Sequence, residues 1–248
     1  MIVEYHRPST VVQALEILSR PNLKSLPLGG GSVLSRKRDE DFAVVDLQSL
    51  GLDTIQTQAG KLILGATVRL QTLVEDVNSP VWLKTACLRE AGRNSREMST
   101  IAGLLVCANG RSPLGIALLA ADVTLTILPG GDDRDYPSVL AARKDIRQPW
   151  LISRAVLDDA VEVEFEFVAR SPADLPVLGV AIAKWDSGRF RVTVGGFGDA
   201  PVLAYDGIHS SEIVSAIDNA LQNSDDEWAS AEYRRSIAPA LVKRLLEG

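Results

Sequence analysis

The stretch that decides the fold of this chain is glycine-rich, Leu26-Pro27-Leu28-Gly29-Gly30-Gly31-Ser32-Val33-Leu34. Because glycine has no Cβ atom, three glycines in a row can turn tightly and adopt positive φ angles at little steric cost. The amides of such a turn can point outward together and bind an anion, as phosphate-binding nests do. A plain tight turn between two elements would have the same sequence, so other parts of the chain must decide between these interpretations.

The elements around the glycine stretch predict the start of a mixed α and β domain. Ile2–Tyr5 is typical of a short strand, and a helix follows, where Thr10 and Gln13 have the spacing of a capping box. Ser25–Leu28 and Phe42–Leu47 are predicted strands, the second of them buried. The glycine stretch therefore lies at the carboxyl end of a strand, where α/β folds often bind ligands. It lacks the Gly-x-Gly-x-x-Gly pattern of dinucleotide-binding folds.

The rest of the first 155 residues continues this mixed pattern. Strands are predicted at Leu62–Ala66, at Val123–Leu128 and from Trp150, and helices at Val68–Val77, Val81–Ala91, Gly115–Ala121 and Pro137–Ala142.

The pattern changes beyond residue 155, where we place a domain boundary. Residues 161–167 alternate apolar side chains with glutamates, and residues 189–194 alternate apolar side chains with two arginines and a threonine. Alternation with period two is typical of strands, and the opposite charges predict Glu–Arg pairs between neighbouring strands. Pro176–Lys184 lies between them and suits either a strand or a buried helix. Two helices are predicted to follow, at Ser211–Leu221 and Glu227–Leu246.

A second candidate binding motif is Ser99-Thr100-Ile101-Ala102-Gly103, in a segment predicted to be a loop and preceded by Arg96. The small residues Ala102 and Gly103 let the backbone come close to a flat ligand, and they equally allow tight helix packing. The residue types leave both interpretations open.

Composition and charge exclude several classes of function. The net charge of −6 argues against nucleic-acid binding, which needs a basic surface. No apolar run approaches the ~18 residues of a membrane helix, and the first residues do not have the pattern of a signal peptide, so we expect a cytoplasmic protein without a membrane partner. With two cysteines, the chain cannot supply the ligands of an iron–sulfur cluster, and we expect no structural zinc site from its two cysteines and two histidines. We therefore predict no metal site and no catalytic residue, and redox chemistry here would need an organic cofactor.

The ordered set of motifs resembles the FAD-binding subunits and domains of molybdenum hydroxylases, the xanthine dehydrogenase and carbon monoxide dehydrogenase medium-subunit family. The resemblance spans nearly the whole chain, and the set rather than any single motif is specific. The segments that carry it, besides Arg96, are Ser9–Leu18, Leu28–Leu34, Val45–Leu47, Leu64–Thr67, Ser99–Gly103, Val168–Asp174 and Glu232–Arg235.

The resemblance implies an α+β fold with two domains. Residues 1–155 would form a PCMH-type FAD-binding domain of two α+β subdomains with FAD between them. Residues 156–248 would form a small C-terminal domain, like that of carbon monoxide dehydrogenase flavoproteins, with a three-stranded antiparallel sheet and helices.

The resemblance also implies the cofactor, its contacts and the partners. The cofactor would be FAD, bound mainly through backbone donors. The contacts carried over to this chain are Leu28, Gly29, Gly30, Gly31, Ser32, Val33, Leu34, Ser99, Thr100, Ile101, Ala102 and Gly103. The partners would be a molybdopterin-binding large subunit and a 2Fe-2S small subunit. The flavin would pass electrons between the partner's iron–sulfur clusters and an external acceptor.

Two other functions stay open at this point. Leu104 and Pro113 stand at positions that are usually polar in the family, which favours a flavin-free structural or assembly subunit that keeps the fold. The third possibility is a flavoprotein reductase that works alone.

Overall fold

The computed structural model of this chain describes residues 1–35, 39–143, 150–172 and 174–247, and it has a mixed α+β fold as predicted. The chain forms two compact units. Unit 1 consists of residues 1–76, 92–107 and 124–156, and unit 2 of residues 77–91, 108–123 and 157–248. Each unit is assembled from separate segments, and the limits of the two consecutive domains stay a prediction.

The strands and helices are numbered here in chain order. The strands are β1 (Ile2–His6), β2 (Ser25–Leu28), β3 (Phe42–Asp46), β4 (Ile55–Gln58), β5 (Lys61–Gly65), β6 (Thr124–Leu128), β7 (Asp132–Asp135), β8 (Leu151–Asp158), β9 (Glu162–Val168), β10 (Leu178–Lys184), β11 (Phe190–Gly195) and β12 (Val202–Gly207). The helices are α1 (Val11–Leu18), α2 (Leu70–Glu75), α3 (Val81–Glu90), α4 (Arg93–Met98), α5 (Ile101–Cys107), α6 (Pro113–Ala120), α7 (Tyr136–Ala142), α8 (Ile213–Ala220) and α9 (Ala231–Glu247).

Unit 1 contains a parallel sheet whose carboxyl edge carries the glycine stretch. The strand order is β1-β3-β2, and both pairings are parallel. The central strand, β3, is buried along its whole length, as its apolar sequence predicted. Since parallel strands end on the same side of a sheet, the residues after β2 and β3 lie on one edge, and the Leu47 amide donates to the Leu28 carbonyl at 3.0 Å.

A second sheet in unit 1 has the strand order β4-β5-β8-β6-β7. The apolar face of α1, which contains Ala14 and Leu18, packs against buried residues of both sheets. These are Val45 of β3, Leu47 directly after β3, and Leu151 of β8. Helix α1 begins with the predicted cap, because the Thr10 hydroxyl accepts from the Gln13 amide at 3.3 Å.

Unit 2 is a four-stranded antiparallel sheet with helices on both faces. Its strand order is β12-β11-β10-β9. On one face Arg191 Nε and the Thr193 hydroxyl donate to carbonyls of α6. On the other face, β10 and β11 share an apolar cluster with residues of α8 and α9. Because β10 lies in the middle and is covered on both faces, its uniformly apolar sequence forms a strand, which resolves the ambiguity at Pro176–Lys184.

Two predictions about this sheet are wrong in detail. It has four strands rather than three, because Val202–Gly207 forms an edge strand whose sequence shows no alternation. The predicted Glu–Arg pairs do not form, since β10 lies between β9 and β11. The charged side chains find other partners in the pairs Glu164–Lys184, Glu166–Arg244, Arg189–Asp206 and Arg191–Asp206.

Among the helices that the structure describes, none combines the length and the apolar character needed to cross a membrane.

Candidate functional site

The glycine loop, Leu28–Leu34, begins at the last residue of β2 and leaves the carboxyl edge of the parallel sheet. Gly31 has a φ angle of +79°, a conformation that residues with a Cβ rarely adopt. The loop ends in a turn closed by the Ser35 amide, which donates to the Gly31 carbonyl at 3.1 Å. Gly29–Gly31, Val33 and Leu34 are half-buried, and Ser32 is exposed.

The second motif, Ser99–Gly103, is the junction between two helices rather than the predicted loop. Ser99 caps the carboxyl end of α4, and α5 begins at Ile101. A short bridge pairs Thr100 with Arg69 and holds this junction in place. The sequence-based prediction failed here because α4 and α5 are six and seven residues long, too short to show helical periodicity.

The two motifs lie directly against each other within unit 1. A Cβ atom built on Gly30 would lie 1.3 Å from the carbonyl oxygen of Met98. One built on Gly29 would lie 2.6 Å from the Thr100 hydroxyl oxygen. Only glycine fits at position 30, because the atom it would meet belongs to the backbone and cannot rotate away. The glycines that the sequence singled out therefore close the loop onto residues 98–100.

The amides of the two motifs differ in how they are used. Within the described residues, the amides of Gly29, Gly30, Gly31 and Ser32 have no hydrogen-bond acceptor. Most amides of the second motif are already used: Ile101 donates to the Val68 carbonyl, Ala102 to the Ala66 carbonyl and Gly103 to the Thr100 hydroxyl, at 2.9, 3.1 and 3.2 Å. In the described part of the chain, only the Thr100 amide of this motif has no acceptor. Donors for an anion are thus concentrated in the glycine loop, and the second motif supplies the wall behind it.

Arg96 connects α4, the helix before the second motif, to helix α2. Its side chain is buried, and Nε donates to Gln71 Oε1 at 2.9 Å. This hydrogen bond attaches α4 to α2, and Gln71 in turn donates to Glu75 of the same helix at 2.7 Å. The sequence predicted a role for Arg96 but missed Gln71, whose only signal is its spacing of four residues from Glu75. It also missed Met98, which takes part through its carbonyl group and leaves no signal in the residue type.

Asp46, at the carboxyl end of β3, belongs to the structure of this edge. Its buried carboxylate accepts from the Tyr5 hydroxyl and from the Gln48 amide. The hydrogen bond to Asp46 raises the pKa of the Tyr5 phenol. Asp46 is therefore a turn residue, since its carboxylate caps the turn that follows β3.

Residues 1–138 match the family model described as the FAD binding domain in molybdopterin dehydrogenase. The chain belongs to this family. The matched range contains the glycine loop and the second motif, and it covers more than half of the 248 residues. The resemblance to molybdenum hydroxylase flavoproteins is therefore confirmed, and with it FAD as the cofactor of the family.

Relatives match this member of the FAD-binding family along almost its whole length. The protein YgfM of Escherichia coli (strain K12), described as uncharacterized, is 29% identical over 252 residues, which cover 99% of this chain and 95% of YgfM.

Solved structures show the same fold at lower identity. A chain of quinoline 2-oxidoreductase from Pseudomonas putida 86 superposes with a TM-score of 0.81 at 19% identity, covering 98% of this chain and 95% of that one. A chain of carbon monoxide dehydrogenase from Hydrogenophaga pseudoflava superposes with a TM-score of 0.80 at 18% identity, covering 98% and 96%. These likenesses confirm the predicted fold class.

Proposed function

We propose that this chain is the FAD-binding subunit of a molybdenum-hydroxylase-type oxidoreductase. In that role it passes electrons between iron–sulfur clusters of a partner chain and an external acceptor. The observation that carries the proposal is the closure of the glycine loop onto residues 98–100, with the loop amides left available, in a chain of the FAD-binding family.

The geometry of the glycine loop fits a pyrophosphate group. The amides of Gly29–Ser32 are the donors, and a pyrophosphate offers several acceptor oxygens to such a row of donors. Gly29 and Gly30 carry no side chain, so the loop can pack directly on residues 98–100, which hold its backbone in place. Thr100 and Ser99 lie behind the loop, and their hydroxyls are the polar side-chain groups of the second motif that remain for a ligand.

Leu28, Val33 and Leu34 anchor the two ends of the loop through their half-buried side chains. Ile101, Ala102 and Gly103 then contribute shape rather than donors, because their amides are already used. FAD, when bound, supplies the electron transfer, and the protein supplies binding and orientation.

The need for partners follows from the composition of the chain. An iron–sulfur cluster takes about four cysteine ligands, and this chain has two cysteines. Electrons from such clusters must come from another subunit. We propose a 2Fe-2S small subunit and a molybdopterin-binding large subunit as partners, as in the family that the sequence resembles.

Co-purification tests the subunit role. The chain is produced with the products of its neighbouring genes and isolated through a tag on this chain alone. We expect a complex that contains FAD, a cysteine-rich small chain and a large chain. A chain that retains FAD and purifies without partners would instead be a reductase that works alone.

A flavin-free assembly subunit is the second candidate, and one observation favours it. Leu104 and the amides of Ile101–Gly103 offer no polar contact to a ligand, so the backbone donors must come from the glycine loop and from Thr100. A complex that contains both partners but no FAD, and takes up none when it is added, would support this alternative and contradict our proposal.

A further inference from the structure

Arg69 is an exposed arginine of unit 1 that lies next to the second motif. It directly precedes α2 and is the residue that pairs with Thr100 in the short antiparallel bridge. Two backbone hydrogen bonds flank this bridge, from the Leu70 amide to the Ser99 carbonyl at 3.0 Å and from the Ile101 amide to the Val68 carbonyl at 2.9 Å. Because the bonds lie on either side of the pair, Arg69 and Thr100 are directly opposite residues that do not bond to each other through their backbones.

This kind of pairing places the two side chains on the same side of the backbone. Directly opposite residues of an antiparallel pair have Cβ atoms about 4.5–5.5 Å apart, and they are closest where the pair is not hydrogen-bonded. The Thr100 side chain is buried against the glycine loop, since a Cβ built on Gly29 would lie 2.6 Å from the Thr100 hydroxyl oxygen. The Arg69 side chain therefore starts from the side of the second motif on which the glycine loop packs.

Arg69 brings a positive charge to a site whose other donors are neutral. No residue of Leu28–Leu34 or of Ser99–Gly103 has a charged side chain. Over the residues that the structure describes, the Arg69 side chain forms no hydrogen bond and no ion pair, and the exposed carboxylate of Asp53 does not pair with it. The guanidinium of Arg69 is therefore available to a ligand of the glycine loop.

The carboxylates nearest in the fold to the two motifs each have another arginine as a partner. Asp46, which is opposite Leu28 in the parallel sheet, has Arg7 Nε at 3.9 Å from its Oδ2 atom. Glu97 of α4 has Arg93 Nε at 3.7 Å from its Oε1 atom. Because other arginines offset these two negative charges, neither carboxylate neutralises Arg69.

We propose that Arg69 binds the pyrophosphate of FAD together with the glycine loop, an inference that rests on the proposed function. The amides of Gly29–Ser32 offer neutral hydrogen bonds, whereas a guanidinium offers charge-assisted N–H groups in a fork that matches phosphate oxygens. Since the chain has a net charge of −6, a positive side chain at this point also counteracts its repulsion of an anion. Arg69 thus adds the charge that the two motifs lack.

The test is a titration of the intact chain with FAD, followed by quenching of the flavin fluorescence. Arg69→Gln removes the charge, and Arg69→Lys keeps it. The matched control is Arg134→Gln, which makes the same change at an exposed arginine of β7, also in unit 1. Each protein is titrated at about 0.05 M and at about 0.5 M sodium chloride, because salt screens an exposed charge.

At low salt we expect Arg69→Gln to weaken FAD binding about tenfold, Arg69→Lys less than about threefold and Arg134→Gln less than about twofold. High salt should weaken FAD binding by the wild type more than by Arg69→Gln, a difference that a purely structural role of Arg69 would not produce. Equal FAD affinity of Arg69→Gln and Arg134→Gln overturns the proposal. Arg69→Lys binding as weakly as Arg69→Gln, or an unchanged salt dependence in Arg69→Gln, also overturns it.

Failure of this inference differs from failure of the proposed function. A wild-type chain that binds FAD as tightly as Arg69→Gln does overturns the role of Arg69 and leaves the proposed function in place. A wild-type chain that binds no FAD overturns both.

Discussion

Substitutions at two glycines with nearly the same φ angle distinguish the effect of backbone strain from the effect on ligand binding. Gly31 in the glycine loop has φ +79°, and Gly131 in the turn between β6 and β7 has φ +77°. Alanine at either position should destabilise the fold by about 1 kcal/mol, because a Cβ disfavours positive φ. Only Gly31→Ala also turns the loop amides away from the pyrophosphate, and we expect it to weaken FAD binding at least about tenfold.

Quenching of FAD fluorescence on titration measures this difference, and thermal unfolding confirms that the two variants are equally destabilised. Equal FAD affinity in Gly31→Ala and Gly131→Ala would contradict the assignment of the glycine loop. Gly30→Val is a poorer test, since its side chain would collide with the Met98 carbonyl and disturb the fold as well as the ligand.

Glu90 should make the stability of the protein depend on pH. Burial raises the pKa of its carboxyl group, although hydrogen bonds from the Leu114 amide and the Ser112 hydroxyl lower it. Because the folded protein holds this proton more tightly than the unfolded chain, the contribution of Glu90 to stability is greatest below its ordinary pKa of 4.5. It decreases as the pH rises through the raised pKa.

Glu90→Gln keeps an oxygen that can accept both hydrogen bonds and removes the charge. We expect the variant to match the wild type in thermal midpoint near about pH 4 and to exceed it near about pH 8. Glu90→Ala loses both hydrogen bonds at the start of α6 and should be less stable by about 1 kcal/mol at both pH values. A lower thermal midpoint for Glu90→Gln than for the wild type near pH 8 would contradict the predicted direction of the pH dependence.

The adjacent arginines 234 and 235 offer a contrast between a buried and an exposed guanidinium. Arg234 is fully buried and donates to Asp226 and to the carbonyls of Val177, Gly196, Ser224 and Ala229. Arg235 is exposed and forms a two-pronged pair with Asp218. Arg234→Ala should destabilise the protein by roughly 3–5 kcal/mol, because it leaves several buried carbonyls without their donor.

Arg235→Ala should have a much smaller effect, since water can replace its partner on the surface. Urea unfolding of the two variants makes the comparison. Similar midpoints for both would mean that Arg234 is not the centre of the buried network.

Among the elements, helix α6 packs closely against its sheet at two glycines, Gly179 of β10 and Gly195 of β11. A Cβ on Gly179 of β10 would lie 2.7 Å from a ring carbon of Phe167 and 2.8 Å from Cδ1 of Ile116. Gly179→Ala should therefore destabilise unit 2 by about 1–3 kcal/mol through overpacking. Ile116→Val removes the Cδ1 atom, so the double variant should recover part of the loss, as a double-mutant cycle on thermal stability would measure. Strictly additive effects would show that α6 does not touch the strand at this point.

The same elements show what the sequence could and could not predict. The buried strand β3 was predictable from its apolar run, and strands β9 and β11 were predictable from their alternation. The burial of β11 was not, since its residues Arg191 and Thr193 are buried against α6 instead of facing solvent. The apolar run of β10 suited two structures until the sheet showed helices on both of its faces. Strand β12 left no signal, because an edge strand that is half-buried has neither a continuous apolar run nor an alternation.

At the scale of the whole molecule, the candidate site was predictable as two motifs but not as one site. The glycines at positions 29–31 are visible in the sequence. The carbonyl group that Gly30 contacts belongs to Met98, whose residue type gives no sign of this role. The division of the amides, available in the glycine loop and mostly used in the second motif, is a property of the fold and cannot be read from residue types. The sequence thus predicted the class of cofactor and the two candidate motifs. The structure shows that most of the available amide donors belong to the glycine loop.

The most direct test of the central claim is the FAD content of the purified wild-type chain after incubation with excess FAD and removal of the unbound cofactor, measured by absorbance. We expect the flavin spectrum and about one FAD per chain, since a single glycine loop lies at the carboxyl edge of the parallel sheet. A colourless protein that retains no added FAD would contradict the account.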